Sequence, residues 1–205
     1  MEMALSVGKL NTFIFVCLVG ISIYMYMGGM EIMMPKKRMP IENYICMGDI
    51  DRIEEKLING ANPNKLVAQT GETLFDVVMS ISCNPSIDRH KMIELLVKYG
   101  GDININNKGN ETPLMSAVVA GDLKSVKYLL SNGANPNNVN LSGKSAIMMI
   151  DINAPYITIE IAKLLIEAGA SVNVEDNQGL TPMEWAVSIK VEGLLSLFQS
   201  VHSEK

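Results

Sequence analysis

The chain has 205 residues, 48% of them hydrophobic, and a formal charge of −5, which is enough for one or two domains with a substantial core. The charge is divided: up to Met39, Lys9, Lys36, Lys37 and Arg38 stand against Glu2 and Glu31, whereas from Pro40 onward 13 basic side chains stand against 20 acidic ones. An acidic folded part repels phosphate backbones, which argues against nucleic acid and for a protein partner with a basic or apolar surface.

No charge occurs between Lys9 and Glu31, and Phe13–Met30 reads FIFVCLVGISIYMYMGGM. A helix needs about 20 apolar residues to cross a bilayer, and a signal-peptide core has about 7–15 followed by a small-residue cleavage site. This run is longer and has no A-x-A, so residues 1–34 are expected to form one apolar helix, a retained single-span anchor that meets the membrane through residues 11–34. A cleaved export signal and a buried soluble helix are the alternatives. Lys36, Lys37 and Arg38 after the span place the C-terminal domain in the cytosol by the positive-inside rule. N-terminal apolar segments ordinarily direct export, so the side of the membrane stays open. Pro35 and Pro40 bracket a basic linker, residues 35–39, because helices rarely run through such a pair.

From Pro40 onward one phrase recurs: NGANPN at Asn59–Asn64, YGGDIN at Tyr99–Asn104, NGANPN at Asn132–Asn137 and AGASVN at Ala168–Asn173. Each follows an apolar helical pattern: IEEKLI, IELLVK, VKYLLS and AKLLIE. A second phrase comes after each: GETLF at Gly71, NETPL at Asn110, GKSAI at Gly143 and GLTPM at Gly179. The closing asparagines are 40, 33 and 36 residues apart. Gly60, Gly100, Gly133 and Gly169 stand where a helix ends in a left-handed residue. Thr112 and Thr181 precede proline, the pattern of a capped helix start. Leu114, Ala117, Val126, Leu129 and Leu130 keep the spacing of a buried face.

These phrases and their period resemble the ankyrin repeat, a β-turn and two helices in about 33 residues. The resemblance covers roughly residues 40–200. It implies an all-α helix-turn-helix solenoid of about four to five repeats with short β-hairpin loops, with units near 40–70, 71–109, 110–142, 143–178 and 179–202. The first unit lacks a Thr-Pro-Leu start, and the last reads as a closing cap with Lys190, Glu192 and Gln199 facing water. The chain departs from the family in two ways. The histidine of the T-P-L-H phrase is replaced by Asp76, Met115, Met148 and Glu184, which removes its bond to the turn and predicts modest stability. Extra residues stand between the helices of unit two (Ser82–Ile87, with Pro85) and unit four (Ala154–Tyr156, with Pro155).

Cys17, Cys46 and Cys83 have no C-x-x-C spacing and no nearby histidine pair, so neither a disulfide framework nor a zinc site is expected; Cys46 and Cys83 read as buried thiols. His90 and His202 lack a Ser or Cys partner at a familiar spacing, and no catalytic residue is assigned. Ser142–Ser145 reads SGKS, but Asn138 stands where a P-loop needs its first glycine, so no nucleotide, cofactor or metal is expected. Asn110-Glu111-Thr112 and Asn140-Leu141-Ser142 match the glycosylation pattern at positions the repeat already explains. Glu54 and Glu55 lie about 100° apart on a helix, as solvated side chains do.

The resemblance implies binding through hairpin tips and the exposed end of each first helix. The tip positions are Leu66, Val67, Asn107, Lys108, Asn140, Leu141, Ser142, Asp176 and Asn177. The helix-end positions are Ser80, Ile81, Val119, Ala120, Ile152, Asn153, Ser188 and Ile189. Ile81, Val119, Ile152 and Ile189 suggest an apolar stripe on the concave side. The expected function is a non-catalytic protein-binding module, membrane-tethered or exported. The alternatives are an immunity protein neutralising a cognate toxin or lipase, a structural spacer or oligomerisation domain, and a small hydrolase or enzyme subunit.

Overall fold

The computed structural model describes residues 39–80, 88–150 and 155–203. The predicted anchor at 1–34, most of the linker, Ile81, the Ser82–Ile87 insertion, Ile152 and Asn153 lie outside them. Among the described residues no helix is long and apolar enough to cross a membrane.

Helices alternate in pairs: α1 (Ile41–Met47) with α2 (Ile50–Ile58), α3 (Leu74–Met79) with α4 (Arg89–Lys98), and α5 (Pro113–Val119) with α6 (Leu123–Ser131). A 3-10 turn at Ala146–Met149 then pairs with α7 (Pro155–Glu167), and α8 (Pro182–Ile189) pairs with α9 (Glu192–Ser203). The first helices pack side by side from α1 through α3, α5 and the 3-10 turn to α8. The second helices α4, α6, α7 and α9 form a parallel row behind them. One core runs through both rows, and Phe75, Leu96, Leu114, Leu129, Ile147, Leu165 and Phe198 are wholly inside it. No pair could bury its apolar faces alone, so stacking holds the array together. Met39, placed in the linker by sequence, is buried in that core. Leu130 is only half-buried, whereas its neighbour Leu129 is fully enclosed.

The helix starts follow from local chemistry. Thr73, Thr112 and Thr181 each turn a hydroxyl back to the third backbone N–H of α3, α5 and α8. Asp49, Asp88 and Asp122 do the same for α2, α4 and α6, satisfying amides that the helix cannot pair itself. Gly60, Gly100, Gly133 and Gly169 take φ of 88° to 91° behind the second helices.

The missing histidines leave less of a gap than expected. The Asp76 carboxylate accepts the Thr73 backbone N–H and hydroxyl, both at 2.8 Å, and also the Ser116 hydroxyl of the next unit. Glu184 accepts the Thr181 N–H and hydroxyl, both at 2.9 Å. These are capping boxes, so the substitutes restore a local bond. Met115 offers only a sulfur, 3.5 Å from the Thr112 nitrogen. In unit four Ser145 makes no capping bond, and the first helix is the 3-10 turn.

The Glu184 carboxyl is held below its ordinary value of 4.5, first by the Thr181 backbone N–H and then by its hydroxyl. A carboxylate lowered in the fold stabilises it fully above the unfolded value, and the contribution fades as pH falls through the lowered folded value. The Thr181 amide proton resonance should therefore move as acid titrates this group and stay still in Glu184→Gln. Equal titration in both proteins would refute the capping role.

The hairpins are short: among the described residues they contain no named strand, and one isolated antiparallel bridge joins Val139 and Ser145. The unit-four insertion is helical from Pro155 onward, because a proline at a first helical position needs no hydrogen-bond acceptor. It extends α7 to 13 residues.

Candidate functional site: hairpin tips and first-helix ends

The tips are fastened to one another. The Lys108 backbone N–H donates to the Gly71 carbonyl (3.1 Å), Leu141 to Gly109 (3.0 Å) and Asn177 to Ser142 (3.0 Å). Deeper in the turns, the Asn64 carboxamide donates to the Gly100 carbonyl and accepts the Asp102 N–H. Asn104 pairs in the same way with Gly133 and Asn135, and Asn137 with Gly169 and Ser171. Each of these three asparagines thus closes the turn of the unit that follows it.

This network claims several residues that the sequence had placed at the binding surface. Asn107 accepts the N–H groups of Gly109 and Glu111. Asn140 accepts those of Ser142 and Lys144, and Asp176 those of Gln178 and Leu180. Asp176 is only 6% exposed and Val67, at the same place in the first hairpin, 2%. These four shape the tip from inside, and Val67 and Asp176 have almost no surface to offer. Leu66, Lys108, Leu141, Ser142 and Asn177 are exposed, Leu141 to 70%. Asn177 also donates to the Leu141 carbonyl at 2.9 Å.

The apolar stripe divides as well. Val119 stands seven residues after its capping Thr112, whereas Ile189 stands eight after Thr181, so they are not equivalent positions. Val119 is 52% exposed at the end of α5. Ile189 and Ala120 pack partly against the core. Ser80 is half-buried and Ser188 exposed, its hydroxyl donating to the Trp185 carbonyl at 2.7 Å. The sequence reading missed Tyr156, 81% exposed, and its neighbour Ile157. A Cβ placed on Gly121, in the turn after α5, would sit 3.8 Å from the Ile157 side chain, so Ile157 lies beside that turn. Reading Pro155 as a loop residue hid it; the helix-starting role of proline was the available signal.

A sequence model of three ankyrin repeat copies matches residues 44–140. Residues 44–140 are ankyrin repeats. An ankyrin repeat protein of fowlpox virus (strain NVSL) is 30% identical over 147 residues, covering 71% of this chain and 18% of that protein. A second from the same virus is 37% identical over 99 residues, 47% of this chain and 28% of its own length. One of Acanthamoeba polyphaga mimivirus is 30% identical over 99 residues, 47% of this chain and 59% of its own. The chain therefore spans less than two thirds of each of these relatives. Ankyrin repeats generally mediate protein–protein interaction.

The remaining marked residues have places in the ankyrin scaffold. His90 lies in the first turn of α4, its ring edge-on to Tyr128 at 5.3 Å and its Nε2 3.4 Å from Glu94. Glu54 joins units one and two, accepting from Lys98 Nζ (2.8 Å) and the Tyr99 hydroxyl (2.9 Å), bonds that hold its carboxyl below the ordinary value. Asn110 donates its carboxamide to the Val139 carbonyl and takes φ of 58°; with Asn140 held inside its turn, both glycosylation patterns are structural positions. Gly143 and Ser145 of SGKS are a hairpin residue and the start of the 3-10 turn. Cys46 is disulfide-bonded to a cysteine outside the described residues, which corrects its reading as a free thiol.

Proposed function

We propose that the array is a non-catalytic binding module whose partner protein docks on the side lined by the hairpin tips and first-helix ends, centred on Val119. The observation that carries this reading is Val119 itself. Its neighbours Ala117 and Val118 are fully buried, yet Val119 is 52% exposed, and Ile157 lies near the turn that follows it. An apolar anchor and an aromatic ring together are the usual centre of a protein interface. Exposed Leu66 and Leu141 extend the surface along the tips. The acidic excess of the array favours a partner with basic groups around an apolar contact. The uncharged run from Lys9 to Glu31 supports a membrane tether through residues 11–34.

The test uses the full chain. Val119→Asp and Tyr156→Ala alter exposed side chains, so the melting temperature should hold, while capture of the cross-linked partner falls about tenfold, the effect of losing ~1.4 kcal/mol. Unchanged capture with both substitutions would sink the surface. The full chain should float with liposomes and a chain starting at Pro40 should not; equal flotation would remove the tether.

A further inference from the structure

The two ends of the array leave opposite faces open. Phe198 stands 17 residues after the capping Thr181, as Leu129 stands 17 after Thr112. Both are fully buried, whereas Lys56, their equivalent in the first unit, is only half-buried. This position therefore faces the preceding unit. Three other positions reverse the pattern. Val118 and Val187 each stand six residues after a capping threonine, and Ile45 stands three before the glycine that ends α1, as Val118 does before Gly121. Ile45 and Val118 have no exposed surface, yet Val187 is 55% exposed. At matching distances from the threonines, Leu114 corresponds to Met183 and Val126 to Leu195. Leu114 and Val126 are fully buried, and Met183 and Leu195 are half-buried. Ile53, the equivalent of Val126 in the first unit, is enclosed as well. These three positions face the following unit, and among the described residues no unit follows α8 and α9.

Met183 and Val187 lie one turn apart on α8, and α9, which carries Leu195, packs against it. The last pair thus presents an apolar stacking face. Lys190 and Gln199 are exposed, as the sequence predicts, but a closing unit has a polar outer face, and here methionine, valine and leucine stand on it. We propose that this face is covered by the same face of a second copy of the chain, the two related by a two-fold axis. Each inner unit turns these positions to its follower, so the face is already of the kind that packs repeat helices. Charge decides the orientation of the copy. Head-to-tail stacking would set the face against the first unit of the next copy. It would strip water from Lys56 and from Arg52, four residues earlier, against apolar side chains, which is unfavourable for cations. It would also grow into an open filament, whereas a tail-to-tail pair closes after two copies. The interface is independent of where a partner protein docks around Val119.

Sedimentation of the full chain in a non-ionic detergent should show a concentration-dependent dimer. Val187→Glu combined with Leu195→Glu should raise its dissociation constant about tenfold or more, while the dilute chain keeps its helical circular dichroism. A dimer of undiminished strength in the double variant, or a chain that stays monomeric at every concentration, overturns the proposal. Amide exchange of the unaltered chain tests the arrangement without any substitution. As concentration rises, α8 and α9 should gain protection and α2 should not. Protection gained by α2 as well would mean head-to-tail stacking, and none gained by α8 and α9 would place self-association elsewhere; either result overturns the tail-to-tail dimer.

Discussion

Leu129→Ala should destabilise the array by about 2–5 kcal/mol, the range for deleting a fully buried leucine in a packed core. Leu129 stands four residues before Gly133 and has no exposed surface. Leu96 and Leu165 hold the same place before Gly100 and Gly169 and are equally enclosed. Helix α6 packs against α4 on one side and α7 on the other, so a cavity there weakens the stacking on which both neighbours depend. With total stabilities of about 5–15 kcal/mol, this is a large share. The first unit supplies the control. There the same position is Lys56, its ammonium 5.8 Å from the centre of the Tyr44 ring, and four residues earlier stands Arg52, where α4 and α7 have buried Met92 and Ile161. Among the described residues no earlier unit covers this face. Lys56→Ala should cost less than about 0.5 kcal/mol, as surface substitutions do. Urea midpoints of the two variants test the contrast, and equal losses would show that Lys56 is as tightly packed as Leu129.

Gly143→Ala should cost more than Gly71→Ala, although both glycines have φ of 75°. The left-handed conformation alone costs a side chain about 1–2 kcal/mol, and this part is common to both. The difference lies in what the next hairpin brings close. The atoms nearest a Cβ on Gly71 belong to the flexible stem of Lys108, which can swing away. A Cβ on Gly143 would lie 2.7 Å from the Asn177 backbone nitrogen and 2.6 Å from its side-chain oxygen. That nitrogen donates to the Ser142 carbonyl, so relief requires the third and fourth hairpins to part. Gly143→Ala should therefore unfold at lower urea and loosen amide protection at Asn177, whereas Gly71→Ala leaves its neighbouring tip protected. The reverse order would show that the tips are not mechanically coupled.

The sequence by itself determined the repeat, because its marks are local. A left-handed glycine after an apolar helix, a threonine before a proline and a leucine four residues before Gly100, Gly133 and Gly169 are set by backbone sterics and helix geometry, which act within a few residues. Those marks located the helix pairs and most of the core. Surface and interior at the hairpin tips were decided only in the tertiary structure. Asn107, Asn140 and Asp176 are polar residues in turns, and nothing within their own segments distinguishes a side chain aimed at solvent from one that accepts backbone N–H groups. Val119 and Ile189 look alike in sequence, yet one residue of register around a helix turns a side chain by about 100° and moves it from the open side toward the core. Likewise, only the tertiary structure brought Ile157 of α7 near Gly121, in the turn after α5. The exposure of a side chain depends on which unit packs behind it, and that neighbour lies about 33 residues away.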